Sequence, residues 1–193
     1  MNAPDVASPF RGSIFTFLSS LFARHNVRAV LVGGYALIAN KVQRMTFDID
    51  FMVTASDCAK IEPDVLSAGY SVLNRTSSFV QFKSEKPGLR DLDFLIGDPQ
   101  TVGTLIAEGA KVSIAGETFV VPKLQHLIAM KLHAMAGNKK RRIKDLPDVV
   151  QLMAANGIDP RSKEIKALFQ KYHALDLYKE VLVLAGSGYE EER

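Results

Sequence analysis

Residues 44–53 read Arg44-Met45-Thr46-Phe47-Asp48-Ile49-Asp50-Phe51-Met52-Val53. From Phe47 to Val53 the side chains alternate in character, which predicts a half-buried strand. A period of two puts Asp48 and Asp50 on one face and Ile49, Phe51 and Val53 on the other, toward a core. Two carboxylates at neighbouring same-side positions stand roughly 6.5–7 Å apart at Cα by strand rise, and they repel. Magnesium offsets such charge well, because it takes hard oxygen ligands and is held by one or two carboxylates together with substrate phosphates. An isolated Asp-x-Asp is more often a solvated strand face, so the surrounding sequence decides between the two readings.

Upstream, the β-branched run Arg28 to Val32 predicts a buried strand that ends at Gly33-Gly34, and Tyr35 to Asn40 reads as a short helix. Glycines let the backbone approach a phosphate, and a helix opening there presents free N–H groups to an anion. The order strand, Gly-Gly, short helix, Arg44-x-Thr46-x-Asp48-x-Asp50 therefore joins a phosphate cradle to a carboxylate pair. Downstream, Phe79 to Lys83 and Leu89 to Ile96 are apolar runs joined by Ser84-Glu85-Lys86-Pro87-Gly88, a hairpin loop by its chemistry. Asp91 and Asp93 share a face of the second run. If that strand neighbours the first, Asp93 completes a metal site, because it lies deeper in the apolar run. Asp91 is expected to be solvated or paired with Arg90.

The periodicity also predicts a first amphipathic helix over 11–25, carried by Phe10, Ile14, Phe17, Leu18 and Leu21, after a loose tail over 1–9. The stretch Ile14 to Phe22 is apolar enough to suggest a signal peptide. However, no net-positive segment leads it and no small-residue cleavage site follows. A helix capped by Ser56 or Asp57 runs to Gly69, and short strands flank Ala115-Gly116. From Pro122 the pattern becomes helical, over 123–136, 144–156, 161–171 and 174–185, with a frayed acidic end. The fold expected is α/β in the α+β sense: a mixed sheet flanked by helices, followed by a helical bundle.

In the helix at 123–136, Leu124, Leu127, Ile128 and Met135 form an apolar stripe with Lys131 in its middle. That lysine either snorkels to the edge or reaches into a cleft to hold triphosphate oxygens or the third aspartate. Lys139, Lys140, Arg141, Arg142 and Lys144 form a basic cluster, read as a solvated face or as a contact to a nucleic-acid backbone. Arg142 and Asp145 are expected to face inward, beside a core face made by Ile143, Leu146, Val149, Val150 and Met153.

Composition bounds the function classes. The 193 residues are 47% hydrophobic and 23% charged with a net charge of +3, ordinary for a globular chain with a slight preference for anionic partners. The single cysteine, Cys58, excludes an intramolecular disulfide and fits a reducing cytoplasm. No apolar run is long enough to span a bilayer, so no membrane partner is expected. His126 and His133 lie too far apart on one helix to share a metal, and no serine or cysteine triad is evident.

Taken together, Val32-Gly33-Gly34-Tyr35-Ala36, Arg44-x-Thr46-x-Asp48-Ile49-Asp50 and Leu92-Asp93-Phe94-Leu95 resemble the nucleotidyltransferase superfamily of the DNA polymerase β type. The helical half, with Lys131-Leu132-x-Ala134, Arg142 and Lys144-Asp145-x-x-Asp148, resembles its abortive-infection branch, the AbiEii/AbiGii-like type IV toxins and their minimal relatives. The resemblance covers roughly residues 28–153; with the change of pattern at Pro122, the expected organisation is a nucleotidyltransferase core over 1–121 and a helical region over 122–193 packed on it. It implies Asp48, Asp50 and Asp93 as ligands of Mg2+, two ions in number with Mn2+ as a substitute. It implies Gly33, Gly34, Arg44, Thr46, Lys131 and Arg142 at the nucleotide, and Asp145 near the active site in acceptor activation. Gly34 departs from the pattern, since many members carry serine there.

The activity so implied is transfer of a nucleoside monophosphate from a nucleoside triphosphate to RNA, protein or a small molecule such as an antibiotic. A toxin or antitoxin protein is the implied partner. The alternative is a non-catalytic nucleotide- or nucleic-acid-binding module of the same fold, and a metal-dependent phosphohydrolase is a further rival.

Overall fold

The computed structural model describes residues 13–86 and 89–189. The expected loose tail, Pro87-Gly88 of the hairpin loop and the last four residues lie outside them. In chain order the elements are α1 (Ile14–Arg24), β1 (Val30–Leu31), α2 (Gly33–Ala39), β2 (Asp48–Val53), α3 (Ala55–Ser67), β3 (Tyr70–Arg75), β4 (Phe79–Ser84) and β5 (Asp91–Ile96). There follow α4 (Pro99–Glu108), β6 (Ala110–Ile114), β7 (Glu117–Val121), α5 (Leu124–Gly137), a 3-10 turn (Lys139–Arg141), α6 (Arg142–Ala155), α7 (Lys163–Lys171) and α8 (Leu175–Tyr189). Residue contacts divide the chain into two compact units. The first runs to Gly34 and includes Thr46–Val121; the second includes Tyr35–Met45 and the chain from Pro122.

The first unit is a seven-stranded sheet in the order β3-β4-β5-β2-β1-β7-β6. β2 runs parallel to β5, and β1 parallel to β7, while the other neighbours are antiparallel. The expected alternation in β2 holds: Ile49, Phe51 and Val53 are fully buried, and Asp48 and Asp50 are half-buried on the opposite face. Phe51 packs against Phe22 of α1 with ring centroids 4.9 Å apart, and against Phe119 of β7 at 5.5 Å. Phe94 of β5 meets Phe82 of β4 at 5.7 Å. This aromatic core fixes which face of β2 and β5 is buried, and so which face carries the aspartates.

Two elements go beyond the sequence reading. β3 is an edge strand whose residues beyond Tyr70 are half-buried or exposed, so it shows no alternation of burial. Helix α4 is opened by Asp98, whose side chain caps Thr101 N–H at 2.9 Å, with Pro99 in the first turn.

The second unit packs α5 against α6 and α7, and α8 against α6 and α7. Phe169 and Tyr178 join α7 to α8 with centroids 5.3 Å apart. One core expectation is corrected. Ile143 is 88% exposed, whereas Leu146, Val149 and Met153 are buried. Ile143 sits in the first turn of α6, and among the described residues none buries it. Among the described residues, no helix is long and apolar enough to cross a membrane.

Candidate active site

The parallel pairing of β2 with β5 sets Asp48 opposite Asp91 and Asp50 opposite Asp93. Of these four, Asp48, Asp50 and Asp93 each offer a carboxylate oxygen, and the three oxygens lie within 4.8 Å of one another. Three hard oxygen donors at that spacing fit a divalent cation such as magnesium, whose charge offsets their mutual repulsion. Asp91 is drawn elsewhere: its Oδ1 accepts the N–H of Ser84 at 2.9 Å and ties the β4–β5 turn. Arg90 donates to the carbonyl of Thr46.

Each ligand candidate has a neighbour that shapes it. Thr46 donates its hydroxyl toward Asp48 Oδ1 at 3.0 Å. Gln81, on β4, donates its amide to Asp93 at 3.1 Å and 3.3 Å. Sequence reasoning missed Gln81, because a neutral residue becomes visible only once the β4–β5 register is known. Asp50 lies directly against the Gly-Gly turn. Gly33 adopts φ +58°, and a β-carbon there would fall 1.9 Å from Asp50 Oδ2. At Gly34 a β-carbon would fall 2.3 Å from the Thr46 hydroxyl oxygen. Both glycines are thus required by close approach, and the turn opens α2 beside the carboxylates.

The second unit contains a separate ionic cluster. Lys131 is only 9% exposed, and it bridges Asp145 and Asp148 at 2.7 Å each. Arg141 reaches Asp145 at 2.7 Å, and Arg44 reaches both oxygens of Asp148, at 2.8 Å and 3.0 Å. Lys131 therefore does not snorkel; it is buried and paired. Burial pushes the Asp145 carboxyl up, but the hydrogen bonds and charges of Lys131 and Arg141 outweigh it and hold the group below its ordinary value. Arg142 is held by Asp176 at 2.7 Å and Glu180 at 2.9 Å on α8. Lys139, Lys140, Arg141 and Lys144 are exposed. Cys58 is buried in α3, and burial raises its thiol to about 11, which leaves it inert as a nucleophile.

The backbone is similar to those of solved structures. ANT(2'')-Ia in complex with adenylyl-2''-tobramycin superposes with a TM-score of 0.60 at 14% identity, over 83% of this chain and 97% of that one. The chain has the nucleotidyltransferase fold. The lincosamide antibiotic adenylyltransferase LnuA, lincomycin-bound, shares it with a TM-score of 0.51 at 16% identity, over 72% of this chain and 94% of that one. An antigenic nucleotidyltransferase-like protein from Paracoccidioides brasiliensis does so with a TM-score of 0.54 at 14% identity, over 86% and 90%. The family described as nucleotidyl transferase AbiEii toxin, type IV TA system, matches residues 106–191. No protein of curated function matches in sequence. The fold and the family match agree with the resemblance read from the sequence.

Proposed function

We propose that the protein transfers a nucleoside monophosphate from a nucleoside triphosphate to an acceptor hydroxyl. The observation that carries this reading is the convergence of Asp48, Asp50 and Asp93 beside a Gly-Gly turn that tolerates no side chain. In the reaction, the acceptor oxygen bonds to the α-phosphorus, the bond from that phosphorus to the β-phosphate oxygen breaks, and pyrophosphate leaves. Bound magnesium would supply Lewis-acid stabilisation of the phosphate charge, held by the three aspartates. Asp93 accepts the acceptor's proton. The Gly33 and Gly34 backbone holds the triphosphate, and the Thr46 hydroxyl, which donates to Asp48, orients that carboxylate.

The residues of the second unit divide by their bonds. Asp145, fully buried and held by two cations, is a poor proton acceptor, so we assign it to fixing Lys131 rather than to activating the acceptor. Lys131, Arg44 and Arg141 oppose two carboxylates, Asp145 and Asp148, which leaves one surplus positive charge suited to an anionic substrate. Arg142, tied to α8, serves that unit's packing in this reading.

Two acceptor classes are each favoured by an observation. The exposed Lys139, Lys140, Arg141 and Lys144 favour RNA. The likeness to ANT(2'')-Ia and LnuA favours a small molecule. The AbiEii match supports an antitoxin partner that restrains the activity.

Incubation with each α-labelled nucleoside triphosphate and magnesium, in the presence of total RNA, total protein or a small-molecule extract, tests the proposal. Label in one fraction names the acceptor. Triphosphate that binds but labels no fraction would replace the enzyme reading with that of a binding module.

A further inference from the structure

Three strands place Gln81, Asp93 and Asp50 in one row across the sheet. Gln81 of β4 is the register partner of Asp93, and Asp93 is the register partner of Asp50. Paired positions point to the same face, so the Gln81 side chain lies on the face of the three carboxylates. Its chain neighbours Val80 and Phe82 are buried on the opposite face, which fixes the orientation of the strand. The amide nitrogen stands 3.1 Å from Asp93 Oδ2 and 3.3 Å from Oδ1. The nitrogen faces the carboxylate because the amide oxygen, itself an acceptor, would be repelled by it.

We propose that Gln81 is a positioning residue that orients the Asp93 carboxylate for metal binding. This rests on the reading of Asp48, Asp50 and Asp93 as metal ligands. A carboxylate on a strand turns freely about its last torsion unless something holds it. A donor shared between both oxygens sets the plane of the group, as partners behind metal ligands commonly do. The neutrality of the amide matters too. A lysine or arginine at this register position would also orient Asp93, but it would compete with the cation for the same negative charge. Glutamine orients the ligand and leaves its charge available.

The test uses Mn2+ as the probe, with binding followed by the electron paramagnetic resonance of the free ion, on the full chain without substrate. Gln81→Met keeps the length of the side chain and removes the donor. Its Mn2+ affinity is expected to fall on the order of 10-fold, with thermal unfolding unchanged. In an Asp93→Asn background the same substitution is expected to add little, because its effect passes through Asp93. Wild type that binds Mn2+ while Gln81→Met binds it equally well overturns the proposal alone. So does an equal loss in the Asp93→Asn background. Wild type that takes up no Mn2+ overturns the metal-site reading and this proposal with it.

Discussion

The backbone of Gly33 and the carboxylate of Asp50 occupy adjoining space so closely that a β-carbon at residue 33 would lie 1.9 Å from Asp50 Oδ2. The φ of +58° at Gly33 adds a second demand for glycine. Gly33→Ala is therefore expected to cost about 1–3 kcal/mol in backbone strain, and to push Asp50 away from Asp48 and Asp93. Thermal unfolding and Mn2+ titration read the two effects separately. A variant with unchanged Tm and unchanged metal affinity would show that the turn does not constrain Asp50.

Thr46 fills the space above Gly34. A β-carbon there would lie 2.3 Å from the Thr46 hydroxyl oxygen and 2.6 Å from its β-carbon. Gly34→Ser is expected to destabilise by about 1–3 kcal/mol through overpacking, and to break the Thr46 bond to Asp48. The double variant Gly34→Ser with Thr46→Ala is expected to recover part of that loss, because it removes the nearest obstructing atom, the hydroxyl oxygen, and leaves the β-carbon of residue 46 in place. A double-mutant cycle from denaturant unfolding checks this, and strict additivity would contradict it.

Lys131 bridges two carboxylates that have almost no contact with water. Lys131→Met leaves Asp145 and Asp148 with less compensation and is expected to cost about 3–5 kcal/mol, the usual range for breaking a buried pair from one side. Urea unfolding measures it. A loss below about 1 kcal/mol, the scale of exposed pairs, would contradict the buried bridge.

The same cluster gives a pH dependence of definite sign. In the folded protein the Asp145 carboxyl titrates below its ordinary 3.8, since the donors Lys131 and Arg141 outweigh the opposing effect of burial. A depressed carboxyl contributes stability that is fully present above the unfolded value. The contribution shrinks as pH falls below 3.8 and is gone once pH passes the lower folded value. The stability gap between wild type and Asp145→Asn is thus expected to narrow as pH drops from 5 toward 3. Unfolding curves across that range check it, and a gap that widened would reverse the sign.

How much of this was legible in the sequence depended on whether a local period carried the information. β2 was readable because Ile49, Phe51 and Val53 alternate with two aspartates against an aromatic core. The pairing of β2 with β5 was a condition in the sequence, and the register that sets Asp50 opposite Asp93 supplied it. β3 escaped because Ser71 to Arg75 form an edge with no buried alternation to reveal them. α4 did carry a signal, Asp98 followed by Pro99, but its buried face amounts to Val102 and Leu105. Lys131 stood out as a charge in an apolar stripe, yet its partners Asp145 and Asp148 come from another helix and emerge only from packing. Ile143 misled because the helical spacing that places it with Leu146 says nothing about which turn is covered.

The central claim is that Asp48, Asp50 and Asp93 work as one site for nucleotidyl transfer. The most direct test is the rate of pyrophosphate release with magnesium, nucleoside triphosphate and the labelled acceptor fraction, compared between wild type and Asp50→Asn. The substitution keeps the shape of the side chain against Gly33 and removes its charge. The account predicts a folded variant whose release falls at least on the order of 100-fold. Release at the wild-type rate from that variant would contradict it.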